Sequence, residues 1–230
     1  MHKNTENNPK KILVIVTNTS RMGDSNNPME TGVWLEEFAV PYYAFKEDGL
    51  EVTVASPLGG VSPIDPASLE CKNPTEWDYT KKELDNTKKL DDVDYTSYDA
   101  VFFPGGHGPM FDIAQNELVG EIASYFYNNH KIVSAVCHGP AGLVNAKSKT
   151  GEPIVKDMQV TCFTNEEEKL VQKDKLVPFL LESRLRQLGA IFNEAAPWSE
   201  NVIVDENLIT GQNPASAKKV AESVIKKLKK

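Results

Sequence analysis

Short apolar runs alternate with amphipathic stretches along most of this chain. Lys11-Ile12-Leu13-Val14-Ile15-Val16-Thr17 is continuous and mostly β-branched, the pattern of a strand covered on both faces. Glu51 to Ser56 repeats it after a helical stretch from about Glu30 to Lys46, which is expected to stop near Gly49, where glycine takes the left-handed conformation that closes a helix. Strand, helix, strand is one βαβ unit. The pattern returns at Ala100 to Phe103, which runs into Pro104-Gly105-Gly106, and at Lys131 to Val136, which runs into Cys137-His138-Gly139-Pro140. Between them Leu118, Ile122 and Phe126 recur at helical spacing and predict a helix from Asn116 to Asn129. Further strands are expected at Gln159 to Phe163, Ala190 to Asn193, Val202 to Val204 and Leu208 to Thr210, and further helices at Lys175 to Leu188 and Ala215 to Leu228.

This alternation predicts an α/β fold, a sandwich with a mainly parallel sheet, helices on both faces and right-handed crossovers. One segment departs from it. Pro57 to Asp94 opens on a cluster of proline and glycine and continues rich in charge, which reads as a polar excursion with short elements of its own around Trp77, near the site. There is no internal repeat, and the terminal Lys226 to Lys230 is a helix end where cations suit the macrodipole.

Composition narrows the function. The 230 residues suit one large α/β domain, and 25 Lys plus Arg against 33 Asp plus Glu give a formal charge of −8, which argues against a nucleic-acid partner. The amino terminus is polar without a signal-peptide core, and no run approaches about 18 apolar residues. A cytoplasmic chain with no membrane partner is therefore expected. Three cysteines, Cys71, Cys137 and Cys162, are too few and scattered for a disulfide framework or a clustered zinc site.

In an open α/β sheet, ligands bind beyond the carboxyl ends of the strands, and two segments place reactive chemistry there. At Cys137-His138-Gly139-Pro140 a buried strand ends on cysteine and a helix is expected to start at once, the geometry of a nucleophile elbow. A helix amino terminus favours thiolate, while the bland alternative is an inert buried cysteine. At Gly105-Gly106-His107-Gly108, glycines free backbone N–H groups to face a ligand oxygen, as an oxyanion hole requires, or form an ordinary turn. No second histidine or carboxylate stands at ligand spacing from His107, so no metal is expected. Cys162 has a strand-like setting and reads as packing; Cys71, in the polar excursion, is open to oxidation.

These segments, with Thr31-Gly32-Val33-Trp34-Leu35-Glu36-Glu37 and Thr210-Gly211-Gln212-Asn213-Pro214-Ala215-Ser216, resemble the PfpI/ThiJ superfamily, whose fold is that of class I glutamine amidotransferases and is flavodoxin-like. Within it the chain is similar to the branch of stress-inducible chaperones with glutathione-independent glyoxalase (glyoxalase III) activity. The resemblance implies Cys137 as nucleophile and His138 as its neighbour. It also implies Glu37 in contact with the sulfur, Glu168 orienting the histidine, and a site at Gly106 and His107 for the substrate. Periodicity supports Glu37 in part, since Val33, Trp34, Val40 and Pro41 around it are apolar, although Glu36 has apolar neighbours too. Pro41 cannot donate to the Glu37 carbonyl and loosens the helix there. A carboxyl in such surroundings should have a raised pKa. Thr164 with Glu167 makes a capping box, so Glu166 or Glu167 competes with Glu168 for the third role.

The implied reaction takes a small 2-oxoaldehyde such as methylglyoxal to lactate without metal, cofactor or glutathione, in a homodimer that also holds unfolded proteins. A cysteine peptidase or amidase, a holdase without turnover and a redox sensor are the rival readings. A glutamine amidotransferase would need a histidine later in the chain, and none follows His138.

Overall fold

The computed structural model describes residues 8–23, 28–70 and 77–230; Cys71 lies outside them. Eleven strands are seen among these residues: β1 (Lys11–Ile15), β2 (Arg21–Met22), β3 (Met29–Glu30), β4 (Glu51–Ser56), β5 (Lys88–Lys89), β6 (Ala100–Phe103), β7 (Ile132–Val136), β8 (Gln159–Val160), β9 (Ile191–Phe192), β10 (Val202–Asp205) and β11 (Leu208–Gly211). Six helices accompany them: α1 (Leu35–Glu47), α2 (Asp78–Asp85), α3 (Glu117–Asn128), α4 (Asn165–Leu170), α5 (Leu181–Gln187) and α6 (Ala217–Leu228). Seven strands form one sheet in the order β10-β11-β7-β6-β1-β4-β5, parallel except where β10 turns back on β11.

The apolar runs explain this sheet. Ile12 and Val14 of β1 join Ala100, Phe102 and Val136 on one face, while Leu13 and Ile15 join Val101, Phe103 and Ala135 on the other. The first face is covered by Leu35, Phe38, Tyr42 and Phe45 of α1 and Val220 and Val224 of α6; the second by Val119, Ile122 and Phe126 of α3. Each such side chain removed from water contributes roughly 1.5–3 kcal/mol. Asn116 and Asn129 stand as the caps of α3, so the expected helix is one residue shorter at each end.

Other boundaries needed tertiary contacts. The helix expected from Glu30 begins at Leu35, because Met29 and Glu30 pair with Arg21 and Met22, and Val33 bridges to Ile64. There a Cβ on Gly32 would stand 2.2 Å from the Pro63 carbonyl oxygen, so the backbones meet only at glycine. The helix expected over Lys175 to Leu188 is reduced to α5, after Pro178, which lacks a donor. The strand expected over Gln159 to Phe163 is only β8 and pairs with β9 outside the central sheet; Thr161 instead donates its N–H to the Thr210 hydroxyl (2.9 Å) and Phe163 to the Cys137 carbonyl (2.9 Å).

The polar excursion belongs to the sheet. It contains α2, packs Leu84 and Leu90 inside, and supplies β5 as the edge strand beside β4. The exposed pair Lys88 and Lys89 keeps that edge from pairing with another chain. Among the described residues, no helix is long and apolar enough to cross a membrane.

Candidate active site

The carboxyl ends of β1, β6 and β7 open onto one site, at the point where the chain passes from the β1–β4 side of the sheet to the β6–β7 side. At the end of β7 the backbone turns sharply: Cys137 has φ of 60°. A non-glycine residue there is strained by on the order of 1–3 kcal/mol and persists only where its surroundings hold it. Here the Cys137 N–H donates to the Gly211 carbonyl and its own carbonyl accepts from Phe163, both at 2.9 Å. Gly139 completes the elbow, since a Cβ would lie 2.0 Å from the Phe103 carbonyl oxygen. The segment that follows, Gly139–Leu143, is a short 3-10 turn and not the expected α-helix. So short a segment carries less macrodipole to favour thiolate than the expected helix would.

The thiol is correspondingly not acidic at rest. Cys137 is 5% exposed, and burial pushes its pKa well up, Glu37 adding to the shift while the Gly106 N–H opposes it. Glu37 reaches the same point from α1 and is fully buried; Glu36, beside it, is half-buried. Gly105 is the surface on which the two meet. A Cβ there would stand 2.4 Å from Glu37 Oε2 and 2.7 Å from the Cys137 Cβ. Burial raises the Glu37 carboxyl well above the usual range, and the neighbouring thiol and Gly105 N–H pull it back only in part. Neither contact meets hydrogen-bond geometry, and both oxygens lack a formed partner. Burial thus favours the neutral form of Glu37, the direction its apolar surroundings suggest from sequence.

On the opposite side His138 Nδ1 lies 3.4 Å from the Cys137 sulfur, and His138 Nε2 lies 2.6 Å from Glu168 Oε2. The other Glu168 oxygen stands 2.6 Å from His107 Nε2. Burial alone would raise the Glu168 pKa, but the two imidazoles outweigh it and hold the carboxyl well below its usual range. Burial, and then the charge of His138, lower His107 to about 4. A neutral His107 therefore donates Nε2–H to an ionised Glu168, leaving its Nδ1 unpaired and buried.

Cys137, His138, Glu37, Glu168, Gly106 and His107 thus stand together, and the choice among three adjacent glutamates is resolved by packing. Glu167 serves the fold: it closes the expected capping box with Thr164 and accepts from the Trp198 N–H (2.9 Å) and Asn213 Nδ2 (2.8 Å). Glu166 is exposed, unlike the buried Glu167 and Glu168. Cys162 is wholly buried, its thiol donating to the Phe163 carbonyl at 3.2 Å. Ligand spacing along the chain gave no sign that His107, His138 and Glu168 would gather with one potential ligand atom each within 4.8 Å. In the fold both Glu168 oxygens are already taken by imidazole nitrogens. Also illegible were the aromatic walls: a cavity of about 360 Å³ above Cys137 is bounded by Trp34, Phe163 and Trp198, which come from three distant segments.

These features can be set beside known proteins. The chain belongs to the DJ-1/PfpI family, whose model matches residues 28–227. This DJ-1/PfpI chain is 32% identical over 237 residues to the glutathione-independent glyoxalase HSP31 of Saccharomyces cerevisiae, covering 96% of this chain and 99% of the relative. A crystal structure of glyoxalase III from Candida albicans superposes with a TM-score of 0.83 at 31% identity, covering 94% of this chain and 96% of that one. The Rapid Encystment Protein of Francisella tularensis superposes with a TM-score of 0.89 at 37% identity, covering 95% and 99%.

Proposed function

We propose that this chain is a glutathione-independent glyoxalase, a lyase that converts methylglyoxal and related 2-oxoaldehydes to 2-hydroxy acids. The observation that carries the reading is the placement of Cys137 beside a buried carboxyl whose neutral form is favoured and a histidine–carboxylate pair, in a cavity with aromatic walls.

Each group has a step suited to its proton state. His138 Nδ1 takes the thiol proton, and the Glu168 carboxylate stabilises the imidazolium. The sulfur attacks the aldehyde carbon while Glu37 gives its proton to the aldehyde oxygen, forming a hemithioacetal. Glu37, now ionised, removes the hydrogen from that carbon as the imidazolium protonates the adjacent ketone oxygen, giving an enediol. Glu37 then returns the hydrogen to the second carbon and takes back the hydroxyl proton of the first, leaving a thioester and a neutral carboxyl. Water cleaves the thioester, releasing lactate and the thiol. The Gly106 N–H beside the sulfur suits the oxyanion that develops at the attacked carbon. Here the Cys137 thiol does the work of the glutathione thiol.

The test is lactate formation from methylglyoxal without glutathione, comparing wild type with Cys137→Ala and Glu37→Gln. Lactate from wild type and loss in both variants is expected; undiminished activity in either variant overturns the mechanism. The Cys137–His138–Glu168 relay also suits an amidase, and release of amine from a peptide faster than lactate formation would favour that reading. A cytoplasmic homodimer with a second, holdase activity is proposed on the exposed Leu58, Val61 and Leu69 of the excursion, which supply apolar surface. Aggregation suppression should survive Cys137→Ser.

A further inference from the structure

The cavity is much larger than the simplest substrate. About 360 Å³ leaves room for on the order of ten water-sized groups at about 30 Å³ each, against the few heavy atoms of methylglyoxal. Its surfaces are also sorted by chemistry. Cys137, His107 and His138 line it with the apolar Trp34, Phe163, Val171 and Trp198, and Lys173 is the one lysine or arginine of the lining among the described residues.

Lys173 has a fixed backbone and no ion-pair partner among the described residues. It follows Gln172, whose φ is 57°, and its backbone N–H returns to the Glu168 carbonyl at 3.1 Å, so the turn that ends α4 fixes both residues. Its side chain is half-buried and makes no ion pair among the described residues. Its charge is felt at His107, where it adds slightly to the lowering of the imidazole pKa, which places it within electrostatic reach of the site. A second depression on the outer side of Lys173 is bordered by Glu30 and Asp65. Asp65 is occupied, accepting from the Thr31 hydroxyl (3.2 Å) and the Ala67 N–H (3.0 Å), and Glu30 is exposed and unpaired with Lys173.

We propose that the site accepts 2-oxoaldehydes whose apolar body ends in an anionic group, with the body against the aromatic walls and the anion on Lys173. The reading rests on the glyoxalase activity proposed above. It goes beyond it by naming a specificity residue and a ligand class. A partly desolvated ammonium meeting a carboxylate forms a charge-assisted hydrogen bond, enough for a preference of about tenfold.

The experiment compares methylglyoxal, phenylglyoxal and 4-carboxyphenylglyoxal with wild type, Lys173→Gln and Lys173→Arg. In wild type the carboxylated compound should show a KM about tenfold below that of phenylglyoxal, at similar kcat. Lys173→Gln should remove that difference by raising KM for the carboxylated compound alone, and Lys173→Arg should restore most of it. Equal KM for the two aryl compounds in wild type overturns the inference, as does a Lys173→Gln effect shared by both, which would assign the lysine to the common product carboxylate or to the fold. Failure to turn over either aryl compound while methylglyoxal reacts also overturns it. Calorimetry with Cys137→Ala separates this from the parent reading, because a Lys173-dependent preference for 4-carboxymandelate over mandelate does not depend on turnover. Loss of methylglyoxal turnover in wild type would instead strike the glyoxalase reading itself.

Discussion

Two glutamates face the same cysteine neighbourhood with their acidities shifted in opposite directions. Glu168 receives a hydrogen bond at each oxygen from His107 and His138 and is ionised. Glu37 has no formed partner at either oxygen and is wholly buried, which raises its pKa and favours the neutral form. The contrast teaches that position relative to donors, not residue type, assigns acid and base roles. In the proposed mechanism one carboxylate steadies the base that accepts the thiol proton, and the other supplies the proton that the aldehyde oxygen needs.

The most severe way to break the arrangement is to remove the atom between the two. Cys137→Ala should abolish lactate formation, a loss on the order of 10⁴-fold or more, because the remaining groups have nothing to join to the substrate. Glu37→Gln keeps the shape but cannot give and recover a proton, so kcat should fall by roughly 10²–10⁴-fold with the fold intact by circular dichroism. Glu168→Gln should lower kcat less, by about 10²-fold, since His138 keeps its place next to the sulfur but loses the charge that stabilises its protonated form. A larger loss for Glu168→Gln than for Glu37→Gln would reverse the assignment of roles.

The smallest effect is on stability, and its sign differs for the two. Glu168 has a depressed folded pKa, so its contribution is fully present above the unfolded value of about 4.3 and is lost as pH falls through the folded value. The folded pKa of Glu37 is raised, so the folded state keeps a proton that the unfolded chain releases above about 4.3, and stability declines as pH rises through that interval. Urea midpoints should show Glu37→Gln gaining on wild type as pH rises above about 4.3, and Glu168→Gln losing less than wild type at lower pH. His107 adds to the acid side, because its folded value of about 4 lies below the unfolded value of about 6.5, and its contribution is lost as pH falls between them.

The two glutamates also differ in how legible they were. Glu37 sits in a regular helix among apolar neighbours, so periodicity brought it near the core, though it did not separate it from Glu36. Glu168 lies in a run of three acids at a helix start, where a capping preference explains acids equally well. Only the contacts of Glu167 with Trp198 and Asn213 leave Glu168 for the histidines. The central strands were readable because each is a short β-branched run buried on both faces. Boundaries at Gly32 and Thr161 were set by backbone meeting backbone or side chain across long sequence distances, which local pattern does not encode, whereas the one at Pro178 follows from a local breaker. The same limit hid the second imidazole on Glu168.

The most direct measurement is infrared spectroscopy of the resting protein at neutral pH, taken as the difference between wild type and Glu37→Gln. A band from a protonated carboxyl, present in wild type and missing from the variant, is the predicted result. A carboxylate band at that position, with no protonated carboxyl lost in Glu37→Gln, would contradict the assignment of Glu37 as the proton donor to Cys137 chemistry.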